Sequence, residues 1–347
     1  MIVDLYAGPG GWSHGLRQLG LTDVGIELDT AACATRAAAG HATIRADVAA
    51  IPIEPMVGRV TGLIASPPCQ SFSTAGLGEG RDQLDALCAA VHDGAWWAFD
   101  RASGYGHVLE IGRWAETLRP IWVACEQVPP VLPVWHAYAA RWRALGWSTW
   151  AGILNSADFG VPQTRRRAFL IARTDGRPVG PPTPTHCQDG ALTIFDELSP
   201  WVTMAEALGW DDRSIVNTRG KRTTPGGNEF PVDRPSWALT EKARSWQLDR
   251  RQQTNGVPVR LIDCDTEPAP TLTGSGKWAF QRPTTSDNAI RLTIADVLTL
   301  QGFPPDYPVQ GTRTAQFRQV GDAVPPPLAA AVADAVCSPS PDPTETP

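Results

Sequence analysis

Residues 2–11, Ile2-Val3-Asp4-Leu5-Tyr6-Ala7-Gly8-Pro9-Gly10-Gly11, decide the fold. The first five read as a short strand, and the chain then enters a turn with glycine at positions 8, 10 and 11. Without a Cβ, the backbone there can turn tightly and come close to a ligand. Residues 12–19 follow with helical spacing. Strand, glycine turn and helix open an α/β unit that holds a nucleotide-like ligand over the turn.

Outward from this turn the alternation continues. Strands are expected at 2–6, 24–28, 42–47, 62–66, 121–126, 147–154 and 168–173, and helices at 12–19, 31–39, 82–91, 107–118 and 134–145. That is the pattern of a doubly wound, Rossmann-like α/β sheet. Glu27 closes the second strand, 17 residues after Gly10, where a carboxylate can accept from both hydroxyls of a ribose. Asp47 is expected to close the third strand, within reach of an adenine amino group. The turn and these acids serve NAD, FAD or S-adenosylmethionine equally well, so they leave the ligand open.

The Pro-rich stretch 176–186 ends this first unit. Residues 187–288 break into short runs, turns and charges, and helical signals return at 293–302 and 323–336. The tail, 338–347, is low-complexity and expected to be disordered. The organisation read here is 1–186, an inserted 187–288, a returning 289–337 and the tail. Within the insert, 233–246 and 266–280 share a faint echo of proline, Leu-Thr, a basic residue and Trp.

Composition narrows the class. The chain has 347 residues, 42% of them apolar, enough for one large domain and a smaller insert. No run approaches the roughly 18 apolar residues of a membrane span, and the opening MIVDLYAGPGG reads as a strand, not a leader. A cytoplasmic protein without a membrane partner is expected. Seven scattered cysteines without a CxxC pair argue against a disulfide framework and against a metal site. The net charge of −6 conceals a local excess of basic residues. Residues 213–291 carry 13 Lys/Arg against 8 Asp/Glu, a local +5, and residues 165–184 carry 5 Arg against 1 Asp, a local +4. Such patches are the footprint of phosphate binding.

One cysteine stands apart. The fourth strand runs into Ser66-Pro67-Pro68-Cys69-Gln70, so two prolines fix the backbone just before a thiol at the carboxyl edge of the sheet. A nucleophile needs that preorganisation, and a packing cysteine does not.

These residues, with four further stretches in the same order, resemble the bacterial and phage DNA (cytosine-5) methyltransferase family. Residues 4–11 are similar to its first motif and Pro67-Pro68-Cys69-Gln70 to its catalytic motif. Cys125-Glu126-Gln127-Val128 resembles its Glu-Asn-Val strand end, and Gln163-Thr164-Arg165-Arg166-Arg167 its Gln-x-Arg-x-Arg motif. Residues 291–304 and 320–326 resemble the last two motifs.

The resemblance implies an enzyme that moves a methyl group from S-adenosyl-L-methionine to cytosine C5 in double-stranded DNA, working as a monomer. Cys69 would attack C6, Glu126 would serve N3 and the amino group, and Arg165 and Arg167 would hold the base at its O2 edge. Tyr6, Gly8, Gly10, Gly11, Glu27, Leu28, Asp47, Val48, Pro67, Asp322 and Val324 would form the donor site, completed when the last motif folds back beside the first strand. Residues 74–83 resemble the mobile loop that closes over the flipped base, and 187–288 the target-recognition segment. There Arg213, Arg219, Lys221, Arg222, Arg234, Lys242, Arg244, Arg250 and Arg251, with Trp237, Trp246 and Trp278, are the candidates for DNA contact.

The chain departs from the family at Gln127 and Asp322, each in place of Asn, at Arg166 in place of Glu, and in a longer, aromatic 92–106. Other readings fit less of it. A related RNA enzyme would have a reduced insert, a silent DNA binder would not need Cys69, Glu126, Arg165 and Arg167 together, and an NAD oxidoreductase leaves Pro-Pro-Cys-Gln unexplained.

Overall fold

All residues of β1 (Ile2–Leu5), β4 (Gly62–Ala65) and β5 (Trp122–Gln127) are buried, the mark of strands covered on both faces. In the computed structural model, residues 1–72, 79–100, 104–192, 197–209, 215–217, 229–239, 247–249, 253–254, 257–258 and 289–337 are described. The three buried strands join β2 (Asp23–Glu27), β3 (Ala42–Arg45), β6 (Ser148–Asn155) and, after the two-residue β7 (Gln163–Thr164) outside this sheet, β8 (Arg166–Arg173) in a seven-stranded sheet of order β3-β2-β1-β4-β5-β8-β6. Strands β1 to β5 are parallel, and β8 runs antiparallel to both β5 and β6. The chain winds outward from β1 to β3, then crosses back to β4. The crevice between the carboxyl ends of β1 and β4 is therefore the switch point, where such sheets bind ligands.

Strand side chains alternate between two cores. Val3, Leu5, Leu63, Ala65, Val123 and Cys125 pack against α4 (Leu84–Asp93), α5 (His107–Leu118) and α6 (Leu132–Ala144), which follow the one-turn α3 (Glu79–Asp82). Ile2, Ile64, Trp122 and Ala124 face α1 (Gly11–Gln18) and α10 (Pro326–Cys337). Two glycines let α10 lie on α1. A Cβ at Gly11 would stand 2.2 Å from the Val324 carbonyl oxygen, and one at Gly15 would stand 2.6 Å from that of Pro326. A third cluster joins α7 (Met204–Leu208), Val232 and Leu239 to α8 (Ile294–Gln301) and α9 (Arg313–Asp322).

The expected alternation holds, with three corrections. β3 ends at Arg45, so Asp47 lies in the turn beyond it, its carboxylate accepting from the Ala49 amide at 2.9 Å. The last helix begins at Pro326 rather than 323, because proline supplies the φ of a first helical residue and lacks the N–H that would otherwise go unpaired. α9 was not read from the sequence. Its residues RTAQFRQVGD carry little apolar periodicity, and the Thr312 hydroxyl that accepts from the Ala315 amide marks its start. The joined segment Arg313–Cys337 reaches a mean hydropathy of 1.2 over an 18-residue window, but 67% of that window is buried inside the protein.

In the middle region, Ile215–Asn217, Glu229–Pro231 and Gln247–Asp249 pair antiparallel with one another and with Ala289–Arg291 in a four-stranded sheet. Arg234 lies beside Asp233 at 3.5 Å, exposed. The other basic candidates of this region, together with Trp246, Trp278, most of the echo, loop residues 74–78 and the tail 338–347, lie outside the described residues.

Candidate active site

The switch-point crevice is a cavity of about 540 Å³. Fourteen of the fifteen residues singled out above line it: Cys69, Glu126, Arg165 and Arg167 on one side; Tyr6, Gly8, Gly11, Glu27, Leu28, Asp47 and Val48 on another; Pro67, Asp322 and Val324 between them. Gly10 stands behind the wall. Its φ of 100° turns the chain into α1, and a Cβ there would meet His41 and Tyr307. The Tyr307 hydroxyl donates to the Pro9 carbonyl at 2.6 Å, and a buried Arg36 donates to that of Ala7 at 3.4 Å, so the glycine turn is braced from both ends.

Sheet topology explains the convergence. Cys69 follows the carboxyl end of β4, and Glu126 lies one residue past the last β4–β5 pair, Ala65–Cys125. Because β8 is antiparallel to β5, its first residues, not its last, reach that edge. Residues two apart on a strand share a face. Arg165 and Arg167 therefore point into the cavity, while Arg166 between them is exposed.

Arg167 Nε stands 3.1 Å from Glu126 Oε1 in a mostly buried ion pair. Burial pushes the Glu126 carboxyl above the usual carboxylate range, against the opposing pull of Arg167 and Arg165. Ser66 links this pair to the first helix, accepting from Trp12 Nε1 at 3.0 Å and bonding to Glu126. Arg165 is fully buried, and its guanidinium donates to the carbonyls of Gly321 at 2.6 Å and Asp322 at 3.4 Å. It thus clamps the end of α9 to the edge that carries Cys69 and Glu126. Burial first, then Asp322 and Glu126, push the half-buried Cys69 thiol up, while Arg167 and Arg165 pull it down.

Gln127 holds the turn that carries Cys69. Its amide nitrogen donates to the Pro67 carbonyl at 2.7 Å and to that of Pro68 at 3.3 Å, and its oxygen accepts from the Val128 amide at 2.6 Å. In place of Asn, then, Gln127 is the tie between β5 and the Pro-Pro-Cys turn.

At the other end, Glu27 accepts from the amides of Gly8 at 2.8 Å, Leu28 at 2.7 Å and Asp29 at 2.6 Å. A carboxylate has about four acceptor sites. With three taken, Oε2 retains room for one hydroxyl in this conformation, where the sequence suggested both. Tyr6 adopts a left-handed φ of 60°, rare without glycine, and its hydroxyl lies 3.2 Å from His107 Nδ1.

Several residues of the site were not singled out in the sequence. His107 and Asp29 line the cavity; Ser66 and Gln70 were quoted only as part of a motif; and Arg318 reaches Asp29 at 2.7 Å. Gln163 donates to the Leu300 carbonyl at 3.2 Å and to Gln301 at 2.6 Å, and Gln301 donates to the Ala323 carbonyl at 2.6 Å, a buried chain that joins three motifs. Gln163 and Gln301 were visible as motif members. His107 had no local signal beyond its place at a helix start.

The profile of the C-5 cytosine-specific DNA methylase family matches residues 1–91 and 99–338. The unmatched 92–98 fall inside the long aromatic stretch. Among curated relatives, Type II methyltransferase M1.HphI of Haemophilus parahaemolyticus is 26% identical over 96% of this chain and 86% of its own length. Type II methyltransferase M.NgoPII of Neisseria gonorrhoeae is 25% identical over 96% and 94%. The fold is shared with a Spodoptera frugiperda DNMT2 mutant, at TM-score 0.62 and 13% identity over 97% of this chain and 99% of that one. A match to the family over nearly its whole length, in motif order and around one cavity, places this chain in the C-5 cytosine-specific DNA methylase family.

Proposed function

We propose that this enzyme methylates C5 of a cytosine flipped out of double-stranded DNA, with S-adenosyl-L-methionine as donor and Cys69 as nucleophile. The observation that carries this reading is the meeting, in one cavity, of a thiol, a buried Glu126–Arg167 pair and a glycine turn backed by Glu27.

The donor fits the residues present. Gly8, at φ 52°, has open space where a Cβ would stand. Glu27 keeps an acceptor site for a ribose hydroxyl, Leu28 offers an exposed apolar face for the adenine, and Asp47 offers a carboxylate near its amino group. When bound, S-adenosyl-L-methionine supplies an electrophilic methyl group. The chain's own residues make the cytosine reactive enough to take it.

Cytosine C5 is a poor nucleophile. Attack of the Cys69 thiolate at C6 breaks the aromaticity and turns C5 into an enamine carbon. Glu126, whose carboxyl burial pushes upward against the pull of Arg167 and Arg165, gives a proton to N3 and so takes up the charge driven onto the ring. Arg167 orients Glu126, and Arg165 keeps the end of α9 against the base. Reaching this cavity requires the base to leave the duplex. Residues 1–186 and 289–337 carry the chemistry, and 187–288 read the target, where basic side chains hold phosphates and a few read base edges. The enzyme acts as a monomer in the compartment that holds its DNA.

The test uses duplex DNA containing 5-fluorocytosine, whose fluorine cannot leave as a proton does. The intact enzyme with donor is expected to form a denaturant-stable adduct. Cys69→Ala should form none while still binding the donor. An adduct in Cys69→Ala would remove Cys69 from the reaction.

A further inference from the structure

Restoring the aromatic ring after methylation requires the C5–H and C6–S bonds to break, and the departing proton needs an acceptor beside C5. Among the described residues, the carboxylates on the cavity wall are Glu27, Asp29, Asp47, Glu126 and Asp322. The first three belong to the donor end. Glu27 holds three backbone amides, Asp29 caps α2 (Thr30–Ala38) and pairs with Arg318, and Asp47 accepts from the Ala49 amide. Glu126 faces Arg167 and, on the mechanism above, is engaged at N3, where the proton it gave during attack returns to it as the thiolate leaves.

Asp322 is the last residue of α9. The backbone on both sides of it is pinned: Arg165 donates to the carbonyls of Gly321 and Asp322, and Gln301 to that of Ala323. Its side chain opens on the cavity at the Cys69 end. We propose that Asp322 is the base that removes the C5 proton. Its carboxylate oxygen takes the proton, the C5–H electron pair becomes the C5–C6 double bond, and the C6–S pair returns to Cys69 as thiolate. Asp322, open to solvent, then loses its proton to water. The inference rests on the covalent reading of Cys69.

Electrostatics agree with this placement. Asp322 is the largest charge acting on the Cys69 thiol, ahead of Glu126, and it is also felt at Glu126 and Arg165. The geometry beside it is the Asp322 carbonyl, which accepts from Arg165 at 3.4 Å and so sets the residue at the Arg165 and Cys69 end of the cavity. The position is occupied by Asn in the family pattern this segment resembles, so this chain would hold a proton acceptor where that pattern has an amide.

Asp322→Asn keeps the shape and removes the basicity. Rapid-quench single turnovers on duplex DNA would follow methyl transfer and the denaturant-stable protein–DNA adduct separately. At saturating donor, methyl transfer is expected to persist, while the methylated adduct accumulates and decays about 10²-fold more slowly, the low end of what a positioned base contributes. C5-deuterated cytosine should slow that decay further. Adduct decay at the wild-type rate would overturn the inference. So would a raised donor KM without accumulated adduct, which would make Asp322 a donor-binding residue. If the intact enzyme forms no adduct on 5-fluorocytosine DNA, the covalent reading itself fails. If it does, and only the Asp322→Asn decay is normal, this inference alone fails.

Discussion

Gly11→Ala would test whether the C-terminal segment completes the donor cavity. Gly11 is the first residue of α1, and its α-carbon lies under Val324. A methyl group there would sit 2.2 Å from the Val324 carbonyl oxygen, about 1 Å inside the contact distance that carbon and oxygen tolerate. Both partners are backbone, so no side-chain rotation relieves the clash. Alanine gains up to ~1 kcal/mol over glycine in a helix, and overpacking costs ~1–3 kcal/mol or more. With rigid atoms on both sides the upper figure applies, leaving a net loss of about 2 kcal/mol. Asp322 and Val324 move with the displaced segment, and both line the cavity. If most of the loss falls on the donor-bound form, affinity drops ~10- to 30-fold, at tenfold per ~1.4 kcal/mol. Titration calorimetry with S-adenosyl-L-methionine and thermal unfolding measure the two effects. Gly180→Ala, where a Cβ meets nothing within 4 Å, is the control. A Gly11→Ala protein with wild-type Tm and donor affinity would refute the close-approach argument.

Two further outcomes follow from the same geometry. Gln127→Ala strips the Pro67 carbonyl and the Val128 amide of their buried partner, at ~1–3 kcal/mol. Single-turnover methylation should fall by tenfold or more with donor affinity intact, and an unchanged rate would mean the Pro-Pro-Cys turn holds its shape unaided. His41 is buried beside Tyr307 and Arg17, with His14 and Arg36 also facing it, and burial followed by these cations pulls it from 6.5 down to about 3. The unfolded chain therefore takes up a proton that the folded one refuses, so this contribution to stability is lost as pH falls from 6.5 toward 3. Denaturant midpoints across that range should be flatter for His41→Gln, and parallel curves would assign the acid sensitivity to other groups.

Strand order along the chain was legible because each buried strand reads as an apolar run closed by a polar or glycine residue. The cavity residues Cys69, Arg165 and Arg167 were legible because Pro-Pro-Cys and Arg-x-Arg are local patterns at strand ends. The helix 107–118 was read to the residue because its apolar spacing is regular. α9 was not, because its burial comes from only a few side chains, such as Phe317 and Val320, against partners far along the chain.

The sequence by itself determined the α/β alternation, the glycine turn, the thiol and the kinds of side chain the reaction needs, since all of these are set by neighbours a few residues apart. Tertiary structure decided which of them meet. It set β8 antiparallel, which brings Arg165 and Arg167 to Glu126. It gave three of Glu27's acceptor sites to backbone amides and made Gln127 the tie on the turn that carries Cys69. It also brought Asp322 to the cavity of Cys69, although 253 positions separate them in the chain. That meeting depends on covering both faces of one sheet, and no local periodicity records how distant segments share that task.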